Sequence, residues 1–107
     1  MPALRLTTPR LLVLSAFLDD PEQERYGLEL ATAAGLEPGT IYPILVAFEN
    51  AGWLRSREEQ VDPRLEGRPR RRYYALTAEG VAAARDALAG TARRRGRRTT
   101  ASRKLAW

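Results

Sequence analysis

A mainly helical chain carrying one small β-hairpin (class α+β) is what this sequence predicts, on three observations. Ile41, Ile44, Leu45 and Phe48 recur at i, i+3, i+4 and i+7, the period of one buried helix face. After Gly52 the pattern changes, and residues 53–61 and 70–76 read as strands around a tip of Pro, Gly and charged residues at 62–69. Hydrophobic residues make up 44% of 107, enough for one small folded domain with little core to spare.

Taken in order, Thr8-Pro9 reads as an N-cap followed by Pro at the first helical position. Residues 11–18 are apolar nearly all round, more than a lone three-helix core requires, and the remainder suits a dimer contact. Asp19-Asp20-Pro21 ends this first helix. Residues 25–34 form a second, shorter helix with Leu30, Ala31 and Ala34 inward. Tyr26-Gly27 stands out at its start, because Gly is a poor helix former and Tyr carries a polar handle. Gly35 supplies a tight turn into the third helix, which Pro38 opens and Gly52 closes. Two short helices joined this way form a helix-turn-helix pattern.

The outer face of the third helix begins with Gly39, Thr40, Tyr42 and Pro43, where a merely solvated helix would carry Glu, Lys, Arg or Ala. Small, hydrogen-bonding and planar groups around a helix N-terminus suit a surface that something approaches closely, a nucleic-acid groove above all. Pro43 cannot donate to the Gly39 carbonyl and crowds it, at a cost of ~3 kcal/mol in a helix interior and less near the start. The irregular turn is either tolerated or shapes a contact surface that leaves backbone groups open to phosphate.

On the second strand, Arg72, Tyr74 and Leu76 share one face, and Tyr74 and Leu76 are expected to lean on the core. Arg68, Arg70, Arg71 and Arg72 form a basic cluster on this hairpin, and four arginines within five residues favour phosphate contact over a solvated turn. Thr77 is the expected cap of a last helix, with Glu79 in its first turn and Val81, Ala84 and Leu88 on a thin face. Gly90 is expected to end it. The organisation expected is therefore a folded domain over 1–90 and a basic, disordered tail over 91–107.

Charge and composition narrow the function. Seven cations and no acid lie beyond residue 92, so of the net +5 the residues 1–92 carry −2. The basicity that points to a polyanionic partner is mostly a property of the tail, where Arg93, Arg94, Arg95, Arg97 and Arg98 are candidate phosphate contacts. Cysteine and histidine are absent and Lys104 is the only lysine, a poor inventory for catalysis and for a metal site. Asp19/Asp20 and Glu58/Glu59 are sequence neighbours, a poor arrangement for opposed acid and base roles. No enzymatic activity, cofactor or metal is expected. No run of about 18 apolar residues suggests a membrane span, and the start lacks a signal-peptide layout, which makes the cytoplasm the expected location.

Three pieces together resemble the PadR family of transcriptional regulators. They are Tyr26-Gly27-Leu28-Glu29-Leu30, then Pro38-Gly39-Thr40-Ile41-Tyr42-Pro43-Ile44-Leu45, then Gly67-Arg68-Pro69-Arg70 leading into Tyr73-Tyr74-Ala75-Leu76-Thr77. The resemblance implies a winged helix-turn-helix that binds double-stranded operator DNA as a homodimer, usually as a repressor. The third helix would enter the major groove and the hairpin would be the wing, with Tyr26, Pro38, Gly39, Thr40, Tyr42, Pro43 and the four hairpin arginines as contacts. It also implies a possible small-molecule effector. Two departures accompany it. Glu37 stands where the family commonly has Ser, and the last helix is expected to be shorter than the family's dimerisation helices. The rival reading is a winged-helix protein-interaction module without specific DNA binding.

Overall fold

The computed structural model describes residues 4–105, with side chains through Ala92. In chain order it contains α1 (Thr8–Leu18), β1 (Arg25–Tyr26), α2 (Gly27–Ala34), α3 (Pro38–Asn50), β2 (Leu54–Glu58), α4 (Pro63–Glu66), β3 (Arg72–Leu76) and α5 (Ala78–Leu105). This is the expected mixture of a helical core and a small hairpin, with three strands in place of two.

α1 starts one residue earlier than expected. Both Thr7 and Thr8 can cap, and it is the Thr7 hydroxyl that accepts from the Arg10 backbone N–H (3.4 Å), leaving Pro9 at the second helical position. α2 and α3 each close with a left-handed glycine. After α2, Leu36 N–H donates to Ala31 O (2.9 Å) and Gly35 (φ 70°) to Thr32 O (3.2 Å). After α3, Trp53 N–H donates to Phe48 O (2.9 Å) and Gly52 (φ 82°) to Glu49 O (3.0 Å). Both are Schellman closures, which satisfy carbonyls that a helix end leaves over. The first of them makes α2 and α3 meet at 109°, within the range of a helix-turn-helix.

The core is where four helices converge. Val13, Leu14 and Phe17 of α1, Leu30 of α2, Ile41, Leu45 and Phe48 of α3 and Ala84 of α5 are all fully buried. The apolar stripe read from α3 is thus its inner face, and Leu30, Ala31 and Ala34 are the inner face of α2. Phe48 stacks on Trp53 with centroids 5.5 Å apart, carrying the core to the foot of the sheet.

The sheet is antiparallel in the order β1-β3-β2. β1 is a correction, since the sequence pattern puts Arg25 and Tyr26 at the start of the second helix. They are extended instead, paired with Tyr74 and Tyr73, because the edge of β3 offers hydrogen-bonding groups that a frayed helical turn would not satisfy. β2 and β3 are shorter than expected, and the tip folds into the one-turn α4, capped by Asp62 Oδ1 on Arg64 N–H (2.9 Å). Tyr74 and Leu76 are buried as expected, and so is Ala75.

α5 is the larger correction. Its start is as expected, with the Thr77 hydroxyl accepting from Gly80 N–H (3.0 Å). Gly90 does not end it, and the backbone stays helical to Leu105 in place of a disordered tail from residue 91. A glycine stops a helix by adopting positive φ, and Gly90 is not among the glycines that do. Inside a helix it costs only about 1 kcal/mol, and the arginines that follow are good helix formers. The C-terminal helix is therefore long.

Candidate nucleic-acid interface

The outer face of α3 is open. Pro38, Gly39, Thr40, Tyr42 and Pro43 are all exposed, opposite the buried Ile41, Ile44 and Leu45. Glu37 is the N-cap residue and makes no side-chain cap, so the departure from a capping serine leaves the first N–H groups of α3 without a side-chain acceptor. Pro43 lies inside the helix, one turn after the exposed Gly39 whose carbonyl it crowds. A would-be Cβ on Gly39 has nothing within 4 Å, so packing does not demand glycine there, and its effect is to leave the surface low.

Tyr42 is half exposed (48%), and its ring lies across the start of α2. A Cβ on Gly27 would come within 2.7 Å of the ring carbon Cε1 and 2.9 Å of Cζ and the hydroxyl oxygen. Gly27 is therefore required by close approach, the reason behind the odd Tyr26-Gly27 pair at a helix start. Tyr26 itself is held edge-on to Tyr73 (5.8 Å between centroids), and the Arg71 guanidinium covers its ring at 4.2 Å. Tyr73 lies in turn under Arg57 (5.1 Å), which Glu24 grips at 2.7 and 3.1 Å. A row of alternating charges and rings thus ties β1 to both strands of the wing and fixes Tyr26.

Tyr26, Gly27, Leu28, Tyr42, Pro69, Arg70, Arg71 and Arg72 line a groove of about 450 Å³ between the start of α2, the outer face of α3 and the base of the wing. Five of the expected contacts, Tyr26, Tyr42, Arg70, Arg71 and Arg72, are brought together there. Arg70 and Arg72 spend hydrogen bonds on neutral oxygens, Val61 O (2.9 Å) and Ser56 Oγ (3.0 Å), and Arg70 makes only a long pair with Glu58 (3.5 Å). Their positive charge remains available at the groove.

Arg68 is different from its neighbours. Its guanidinium binds Glu59 at both carboxylate oxygens (2.7 and 3.1 Å) and Pro69 O (3.2 Å), so it is committed inside the wing and is a poor phosphate ligand. Glu59 also accepts from Arg71 N–H (3.3 Å) and the Tyr73 hydroxyl (3.3 Å). The Arg68 hydrogen bonds, followed by the Arg71 N–H, hold its carboxyl down at about 2. In sequence Glu59 is simply the neighbour of Glu58, and only the three-dimensional turn of the hairpin brings Arg68 and Tyr73 onto it. Arg93, Arg94, Arg95, Arg97 and Arg98 lie on the part of α5 whose side chains are outside the described residues.

Residues 16–86 match the model of the PadR-like family of transcriptional regulators. This chain belongs to that family. Among solved structures, it resembles a PadR-family regulator from Eggerthella lenta at 28% identity, covering 78% of this chain and 70% of that one, with a TM-score of 0.60. PcaV from Streptomyces coelicolor is similar at 25% identity and a TM-score of 0.66, over 81% and 58% of the two chains. BpsR of Bordetella bronchiseptica, whose DNA binding is regulated by 6-hydroxynicotinic acid, shares the fold at 17% identity and a TM-score of 0.68, over 87% and 64%. The chain spans less than two thirds of the length of BpsR and PcaV. Among curated proteins, none matches. The winged-helix architecture and membership among transcriptional regulators are thus established. No single helix among the described residues is long and apolar enough to cross a membrane.

Proposed function

We propose that this PadR-family protein is a cytoplasmic homodimeric repressor that binds double-stranded operator DNA, α3 entering the major groove and the wing lying on adjacent phosphates. The observation that carries this reading is the groove itself. Stretches far apart in sequence meet there, with Tyr26, Gly27 and Leu28, Tyr42 of α3, and Arg70, Arg71 and Arg72 lining one groove. The proposed contacts are Tyr26, Pro38, Gly39, Thr40, Tyr42, Pro43, Arg70, Arg71 and Arg72. The cations beyond residue 92 act as an added phosphate-binding segment. The chain does no catalysis in this reading.

The partner copy docks along α1 and α5. Leu12 is 42% exposed there, beside a groove of about 520 Å³ lined by Leu11, Leu12, Ser15, Leu88 and Ala92 among others. BpsR responds to 6-hydroxynicotinic acid, and PcaV is known in complex with a natural ligand. A small-molecule effector for this chain is proposed on that precedent.

A gel shift over a salt series tests the reading. Neutralised phosphates make log K fall linearly with log[salt], and a selected duplex should outcompete random DNA at every salt. A protein-interaction module would show neither the slope nor the preference.

A further inference from the structure

We infer that the recognition surface reads thymine methyl groups rather than guanine edges, so that the operator half-site carries thymines under α3 at positions set by Leu28, Tyr42 and Val46. This deepens the proposed operator binding and rests on it. Three of the five large exposed apolar residues among the described ones belong to α2 and α3: Leu28 (58%), Tyr42 (48%) and Val46 (54%). They are not scattered. Leu28 and Tyr42 line the same groove, and Val46 follows Tyr42 by one helical turn on the same face. Solvated helix faces do not gather such groups, and water exacts a cost of each while it stays uncovered.

What covers them is set by the surroundings. The patch is walled by Arg70, Arg71 and Arg72, which favours a polyanion over an apolar protein surface. The major-groove wall of a polyanionic duplex offers apolar surface in one form, the thymine 5-methyl group. The polar inventory agrees. Neither α2 nor α3 contains Arg or Lys, the side chains that pair with guanine O6 and N7. Glu37 and Glu49 carry the wrong sign for a surface beside phosphates. Asn50 is the last residue of α3, ~12 Å along the axis from Tyr42 and at the end away from the groove-entering N-terminus. Tyr42 also packs closely on the bare Cα of Gly27 and shares its groove with Leu28.

The test uses the full chain and operator duplexes selected from random DNA. Each thymine of the enriched site is replaced singly by deoxyuridine, which deletes the methyl group and keeps every hydrogen-bonding edge. Wild type should lose ~4-fold in affinity at one to three thymines per half-site, the fold-change that corresponds to about 0.8 kcal/mol for one buried carbon group. Leu28→Ala and Val46→Ala remove exposed side chains and should fold normally, as checked by circular dichroism. Each should abolish the thymine–uracil discrimination at one position and keep it at the others. Uniform affinity of wild type for thymine and uracil operators, or full discrimination retained in both variants, overturns this inference and leaves operator binding intact. Failure of any sequence to be enriched, with salt-dependent binding of all duplexes alike, overturns the operator reading and this inference with it.

Discussion

Gly80 and Gly27 show how a missing side chain positions a site. At Gly80, the third residue of α5, an added Cβ would overlap the carbonyl oxygen of Trp53, a backbone atom that already accepts Thr77 N–H (3.0 Å). The same junction is closed by the Thr77 hydroxyl donating to Gly52 O (2.7 Å), so α5 cannot shift away without losing both bonds. Alanine is the better helix former by about 1 kcal/mol, yet Gly80→Ala should destabilise by about 1–3 kcal/mol, because the overlap with backbone outweighs propensity. Thermal unfolding should show a fall in Tm, and a rise would mean that the start of α5 adapts freely. At Gly27 the obstacle is the Tyr42 ring, a side chain that can turn away. Gly27→Ala should therefore keep the fold but displace Tyr42, and both it and Tyr42→Ala should weaken the proposed operator binding by ~1–3 kcal/mol for the base interaction removed. Because both changes act through one ring, the double variant should be no weaker than either single one. Additive effects would separate the two residues. Poor helix propensity makes Tyr26-Gly27 conspicuous in the sequence, but does not give the reason. Tyr42 is 15 positions away, and only the 109° turn between α2 and α3 brings it over Gly27.

The wing is the element whose chemistry is least legible in the sequence. Alternation and turn residues mark two strands, and the arginine cluster is plain, but strand ends, α4 and the two-residue β1 depend on pairing that no local pattern encodes. The division of labour among the arginines is hidden for the same reason: Arg68 turns inward to Glu59, while Arg70, Arg71 and Arg72 line the groove. Glu59 gives a measurable consequence. Its carboxyl is held at about 2, below its ordinary 4.5, so its ionised form stabilises the folded hairpin. That contribution is fully present above about pH 4.5 and is lost as pH falls through about 2. The Arg71 amide, which donates to Glu59 Oε1, should report this in NMR with a titration midpoint near 2. A midpoint near 4.5 would mean that Arg68 does not hold the carboxylate.

At the scale of the molecule, the helical core and α3 follow from apolar spacing and turn residues, whereas the reach of α5 does not. Gly90 carries the composition of a stop, and a stop needs a backbone turn that composition cannot report. The longer helix changes what the basic segment is. Residues 93–105 continue the axis of α5 for about 20 Å at 1.5 Å per residue, directly from the Leu88–Ala92 stretch proposed to meet the partner copy. Such a dimer should place its half-sites about one DNA turn (~34 Å) or a multiple apart, and sedimentation showing only monomer at micromolar concentration, with or without DNA, would count against it. Truncation after Ala92 keeps the α1–α5 groove and deletes seven cations without removing an acid. If these cations meet phosphates, the truncated protein should bind operator and random duplex more weakly by the same factor, since phosphate contacts carry no base information. The slope of log K against log[salt] should flatten by about 0.9 for each phosphate that is no longer neutralised. Dimerisation and thermal stability should change little, because among the described residues the buried core lies upstream of the cut. A slope that survives truncation unchanged would assign DNA binding to the groove and wing alone. Unequal weakening on operator and random duplex would instead give the segment a share in reading sequence or in setting half-site spacing.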